Sequence, residues 1–468
     1  MHLSPFYRIF GYRNRYYNSK GDQLKFYDRT TELSELRTLY QQAGETSRMT
    51  VITGRRRVGK TMLALEFADQ HRFLYLFISK KSETLLCKEF LDEIQSRFPV
   101  PVVGDIRHFR DLFRLLIELA KTERLTVIID EFQEFFTINP AVYSEIQSLW
   151  DQHKSICKLN LICIGSVYSL TRKIFEGAKE PLFGRADRIM YLKPFPIATL
   201  RIILADHGVT GMTELFDCYA LTGGLPKYLD LMTGNQALSL DRMLDFMLRE
   251  HSPFLGEGKN LLIEEFGKEY GTYFSILGLI AEGKTARTEI ESILEIEAGA
   301  YLARLEQDYG LISRHVPFNA RPNGRVIKYA ITDNFLSFWF RFIFRNWSAV
   351  ETGNFPYIRS IVNRDYTTWA GRILERYFHD LAAASGRFNR IGSSWERGNQ
   401  NEIDLVAIND LEKRILLAEV KLNKSRISLE ALKRKSERLL GDYSGYSVEW
   451  AALGPEDATE FLSTTTSI

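Results

Sequence analysis

Two rhythms of apolar and polar positions alternate between about residues 26 and 195. Short strand-like runs at 50–53, 73–79, 125–129, 159–164 and 188–192 alternate with amphipathic segments of helical spacing. That alternation predicts a parallel α/β sheet covered by helices. Beyond Pro194, Phe195 and Pro196 the pattern turns helical, interrupted at Gly223, Gly224 and Pro226 by a corner expected within a small helical lid. Further on, helices are expected at 273–281, 285–294 and 298–308, then strand-like runs at 311–316 and 326–332 around a polar turn at 319–324. Three helices and a β-wing make a winged helix-turn-helix, with the third helix in the recognition position. The last stretch offers a helix bearing Glu375, apolar runs at 403–408 and 415–421, a helix at 428–440 and a strand at 447–453. The expected fold is α/β multidomain: an arm (1–25), a parallel-sheet domain (26–195), a lid (196–263), a winged unit (264–347) and a C-terminal α/β domain (348–468).

Composition narrows the class. The 468 residues, 45% hydrophobic and 26% charged, suffice for several cores, and a formal net charge of +2 gives no global argument for nucleic acid. Cys87, Cys157, Cys163 and Cys218 lack metal-ligand spacing and read as reduced, mostly buried thiols. No apolar run reaches the roughly 18 residues of a membrane span, and the N-terminus lacks a secretory core, so a cytoplasmic protein is expected. The arm itself mixes Arg8, Arg13, Arg15 and Lys20 with Phe6, Tyr7, Phe10, Tyr12, Tyr16 and Tyr17. Packing across the chain's own domains is favoured for it over stacking on single-stranded nucleic acid.

The loop after the first sheet strand carries the sharpest chemistry. Gly54, Arg55, Arg56, Arg57, Val58, Gly59, Lys60 and Thr61 fit G-x-x-x-x-G-K-[ST] in a strand–loop–helix setting, which implies a nucleoside triphosphate site. Glycines let backbone N–H groups curl around phosphate oxygens, Lys60 reaches the β- and γ-phosphates, and the Thr61 hydroxyl suits Mg²⁺; Met62 completes the expected cradle. The run at 125–129 ends in Asp130 and Glu131, and ligands sit at the carboxyl ends of such strands. Asp130 is expected to hold Mg²⁺ through water, and Glu131 to orient and deprotonate the attacking water. Ser166 is a candidate sensor of nucleotide state or, equally, a helix N-cap. Arg185, with Arg188 as the alternative, is a candidate for stabilising charge on the γ-phosphate. Pro226 would face the base or ribose, or simply mark a helix end. No N-K-x-D run is evident, which favours ATP over GTP.

A second constellation lies near the C-terminus. Asp404 is followed by Glu419 and Lys421, two apart and therefore on one strand face, with Glu375 on the preceding helix. Carboxylates that hold Mg²⁺ beside a lysine that orients water would make a phosphodiesterase site; a charged surface hairpin accounts for the bare motif equally well. The third helix of the winged unit presents Glu306 and Asp308 beside Arg304, leaving DNA contact and protein packing both open.

In order and spacing, Phe26 to Arg29 with Glu32 and Leu33, the loop from Gly54 to Thr61, Asp130 to Gln133, Gly165 and Ser166, Leu182 to Arg185, and Gly223, Gly224 and Pro226 resemble the archaeal-type ATPase family, related to the AAA+ and STAND ATPases. The resemblance spans the first half and implies an ATPase core with a strand added between those of the loop and Asp130, Glu131 as catalytic glutamate, and Arg185 as a possible finger in its own subunit or across an oligomer interface. Glu375, Trp395, Glu402 to Asp404 and Ala418 to Lys421 resemble the PD-(D/E)xK restriction-endonuclease-like domain at the C-terminus of that family, although Leu422 stands where an aromatic residue is common. Together these imply an ATP-binding, Mg²⁺-dependent ATPase whose nucleotide state controls a winged-helix and nuclease-like module on DNA. The alternative is a STAND-like ATP/ADP switch that engages a protein partner and carries an inactive nuclease-like domain.

Overall fold

The computed structural model describes residues 25–100, 104–266, 270–318, 327–396 and 401–462. The expected N-terminal arm, apart from Lys25, and the polar turn at 319–324 lie outside them.

Five strands, β1 (Arg48–Thr53), β2 (Phe73–Phe77), β3 (Leu125–Asp130), β4 (Leu159–Ile164) and β5 (Arg188–Tyr191), form a parallel sheet in the order β2-β3-β4-β1-β5. β3 and β4 are buried at every position, which is why they are mostly apolar, and their buried polar pair, Asn160 and Thr126, is joined by a hydrogen bond of 3.2 Å. β4 lies between β1 and β3, so the ends of the loop strand and of the Asp130 strand flank the end that leads to Ser166. β2 stops at Phe77, two residues short of expectation; the last rung is Ile78 N–H donating to Asp130 O at 2.9 Å.

Helices Tyr270–Glu282, Arg287–Leu294 and Gly299–Gln307 precede an antiparallel pair, β6 (Ile312–His315) and β7 (Lys328–Ile331). The second helix is not led by Thr285, because that residue's carbonyl accepts from Tyr329 N–H at 2.8 Å and ties the helix pair to β7. The third helix packs on the parallel-sheet domain through Arg172, which donates to Gln307 O at 2.6 Å.

A 30-residue helix, Phe355–Ala384, leads into a second sheet of β8 (Arg390–Ser394), β9 (Ile403–Asn409), β10 (Arg414–Val420) and β11 (Ser447–Leu453), ordered β11-β10-β9-β8. β8, β9 and β10 pair antiparallel, whereas β10 and β11 are parallel and need the crossover helix Leu429–Leu440, N-capped by Ser428. One apolar core runs from Ile52 and Ile128 of the first sheet through Tyr228 and Phe254 to Trp339, Trp369, Tyr377 and the inner face of the second sheet at Leu405 and Leu416. The four cysteines are buried and free, and among the described residues no helix is long and apolar enough to cross a membrane.

Candidate functional site

The loop after β1 turns on two glycines with positive φ. Gly54 has φ 142°, and a Cβ there would lie 2.5 Å from Leu192 O; Gly59, at φ 92°, caps helix Lys60–Ala68. Lys60 Nζ donates to Gly54 O and Arg55 O, each at 2.9 Å, and burial pushes the ammonium down to about 8 against the pull of the Glu131 and Asp130 carboxylates. Asp130 Oδ2 accepts from the Thr61 hydroxyl and the Tyr75 hydroxyl, both at 2.7 Å, and Oδ1 accepts from Glu131 N–H at 2.8 Å. Burial raises the Asp130 carboxyl, and these hydrogen bonds oppose the rise. Thr61 and Asp130 thus present hydroxyl and carboxylate oxygens side by side at a helix N-terminus, a hard donor set that fits Mg²⁺.

Glu131 stands at φ 56°, a left-handed conformation at the strand end that turns its carboxylate toward Ser166. Glu131 Oε2 accepts from both Ser166 Oγ and Gln133 Nε2, and Gln133 Oε1 accepts from Ser166 N–H at 3.3 Å. Ser166 is therefore not a helix N-cap: Val167 occupies that position and the Ser166 hydroxyl serves Glu131. Gln133 was not singled out as a site residue, yet its place two positions after Glu131 was visible in sequence.

The arginines of the loop are engaged by the rest of the chain. Arg55 forms an ion pair with Asp333 at 2.9 Å and donates to Gly310 O at 2.6 Å and to Thr332 Oγ1. Arg57 grips Glu257 through Nε at 2.8 Å and Nη2 at 3.3 Å, and Tyr228 donates to the same carboxylate. What positions 55 and 57 offer a phosphate is consequently backbone N–H. Arg56 lies in the field of Lys60 and Glu265, Val58 is buried and Met62 is half-buried in the first turn of the helix. Arg29 clamps the loop from behind, donating to Val58 O and to Lys193 O, and Pro226 lies beside it, its Cγ 3.8 Å from where a Cβ on Gly59 would stand.

Arg185 lies elsewhere. It pairs with Asp151 at 3.1 Å and lines a recess with Arg48 and Asp187 at the start of β1, the far end from the loop by the length of the strand, about 16 Å. Arg188 pairs with Glu35 at the same end. Neither side chain reaches the loop of its own subunit.

In the second sheet, Glu375, Asp404 and Glu419 come together without forming a metal cage; among the described residues no three His, Cys, Asp or Glu side chains are arranged to hold a metal. The reason is local pairing. Asp404 Oδ2 accepts from Val420 N–H at 2.8 Å, and Glu419 is paired with Lys435 of the crossover helix, which also donates to Glu402 O at 3.3 Å. Lys421, expected beside Glu419, falls just past β10, is exposed and points to Arg426 O at 3.5 Å. Burial, then the neighbouring carboxylates, raises the Glu375 carboxyl, and burial, partly opposed by the Val420 N–H, raises that of Asp404. Lys435 is the residue that pattern reading missed, since nothing in its own segment points to Glu419.

Residues 26–232 match an ATPase domain predominantly from Archaea, and residues 339–436 match a family described as Archaea bacterial proteins of unknown function. An uncharacterized protein of Methanocaldococcus jannaschii is 30% identical over 380 residues, 79% of this chain and 82% of that protein. In fold, the chain is similar to the Walker-type ATPase of Pyrococcus abyssi, with TM-score 0.50 and 20% identity over 67% of this chain and 96% of the other. It is also similar to the ORC2 protein of Aeropyrum pernix, solved in ADPNP–ADP complexes, with TM-score 0.50 and 14% identity over 73% and 99%.

Proposed function

The chain belongs to the archaeal-type ATPase family, and from that premise we propose that it hydrolyses ATP in the cytoplasm and uses its nucleotide state to reposition a DNA-directed C-terminal half. Lys60 neutralises the β- and γ-phosphates, and Glu131 takes the proton of the attacking water while Ser166 and Gln133 hold its carboxylate in place. Mg²⁺, held by Thr61 and Asp130, supplies charge neutralisation at the phosphates when bound. Arg185 is remote from the loop of its own chain, so a finger role for it requires a neighbouring subunit.

The observation that carries the coupling is the grip of Arg55. Its partners Thr332 and Asp333 follow β7, and Arg376 of the long helix donates to Ile331 O at 2.7 Å, Thr332 O at 3.1 Å and Asn334 Oδ1 at 3.0 Å. The phosphate loop and the helix that bears Glu375 therefore share one short segment. The three helices with β6 and β7 are read as a winged helix, and the second sheet with its two helices as a nuclease-like domain. The test is Mg²⁺-dependent phosphate release with and without DNA, for wild type and Glu131→Gln. DNA-stimulated release that the substitution abolishes is the expected result; release indifferent to DNA overturns the DNA-directed half of the reading.

A second reading draws on the pairing of Lys435 with Glu419. With that carboxylate neutralised, the C-terminal domain acts as a binding module for a protein partner, and the ATPase is a signalling switch with dead nuclease chemistry. Tight retention of ADP, indifference to DNA and no effect of Asp404→Ala would favour it.

A further inference from the structure

A cleft of about 620 Å³ opens where the long helix begins, lined by Arg341, Arg345, Arg364, Asp365, Asn346 and Tyr357 among others. Asp365 is shared by two guanidinium groups, Arg341 at 3.3 Å and Arg364 at 2.7 Å, and Arg345 is paired with Glu282 at 2.8 Å. Each guanidinium carries five N–H donors, so three of them against two carboxylates leave donors in excess. The first turn of a 30-residue helix adds its positive dipole end on the same side. Tyr357 stands 52% exposed at the lip, an aromatic face beside the cations.

We propose that this cleft anchors a single nucleic-acid strand, phosphates on Arg341, Arg345 and Arg364 and a base stacked on Tyr357. The assignment rests on the DNA-directed reading above and goes beyond it by placing the strand. Arg364 and Glu375 are about three helical turns apart, share a face of the long helix and are separated by about 16 Å, a few nucleotides along a strand. Arg372, packed against Gly283, lies between them, so a strand held in the cleft runs toward the carboxylates of the second sheet.

The test is fluorescence anisotropy of a labelled single-stranded oligonucleotide on the full chain, titrated with salt, for wild type, Arg345→Ala/Arg364→Ala and Tyr357→Ala. Binding about tenfold weaker in the double variant, with a salt slope reduced by about 1.4, and a several-fold loss in Tyr357→Ala are expected at an unchanged thermal midpoint. Wild-type binding that both variants retain overturns the cleft and leaves the DNA-directed reading standing; no binding by the wild type removes both. With saturating ADP present throughout to fill the phosphate loop, displacement of the oligonucleotide by inorganic phosphate as readily as by unlabelled strand assigns the cleft to a free phosphoanion and overturns the strand.

Discussion

In the proposed hydrolysis Lys60 and Glu131 do opposite jobs with charge, and their surroundings differ: Lys60 is buried among carboxylates, and Glu131 is held by Ser166 and Gln133. Lys60 is buried and its ammonium is pushed down to about 8, so above that pH the free protein holds it largely neutral. A bound polyphosphate restores the proton. Binding of Mg²⁺-ATP near pH 8.5 is therefore expected to take up roughly three-quarters of a proton and near pH 6.5 almost none, which calorimetry in two buffers of different ionisation enthalpy reads directly. Equal uptake at both pH values would contradict the burial argument. Glu131 is held by Ser166 and Gln133, and Glu131→Gln preserves the shape of that cluster while removing the base. Hydrolysis should fall by about 10² to 10⁴ with nucleotide affinity retained, measured by phosphate release and a fluorescent nucleotide. Ser166→Ala leaves Glu131 Oε2 held by Gln133 alone and should cost less.

At the scale of elements, two helices lean on buried polar contacts whose strength depends on pH or charge. Asp217 on helix Met212–Thr222 accepts from Tyr366 of the long helix at 2.7 Å, and burial pushes its carboxyl up to about 6. The folded state binds this proton more tightly than the unfolded chain does, so the associated stability is complete below the unfolded value near 4 and is lost as pH rises through about 6. Asp217→Asn keeps an acceptor for Tyr366 and should flatten that loss, about 3 kcal/mol at most, as read by urea midpoints at pH 4 and 8. The segment after β7 is the other joint. Asp333 caps helix Asn334–Phe338 through Leu336 N–H while pairing with Arg55, so Asp333→Asn retains a capping oxygen and removes the ion pair. Basal phosphate release is expected to stay within about twofold, and nucleotide-dependent protection of the C-terminal half from proteolysis to be lost. Protection that survives would place the coupling elsewhere.

Across the whole molecule, the expected divisions are joined by one apolar core, which reaches from the loop strand to the second sheet. The parallel sheet, its phosphate loop and Asp130 with Glu131 were legible because each depends on neighbours in sequence: mostly apolar runs mark doubly covered strands, and glycines mark the turn between strand and helix. The four strands of the second sheet were legible as apolar runs, apart from β8, whose buried pattern is too weak to stand out. Partnerships were not legible. Arg55 and Arg57 sit in a loop that reads as phosphate-binding, yet their carboxylates are Asp333 and Glu257, hundreds of residues on. Glu419 and Lys421 read as one site by period-two spacing, but packing of the crossover helix delivers Lys435 to Glu419 instead. Arg185 reads as a finger, and only the direction of β1 puts it at the wrong end for its own subunit. The placing of the strands and of the phosphate-loop turn follows from the sequence, because backbone sterics and burial periodicity act over a few residues, whereas the start of helix Arg287–Leu294 is moved by the tertiary bond from Tyr329 to Thr285. The tertiary structure alone decided which charges meet, because desolvated ions pair with whatever the packed core brings within about 3 Å.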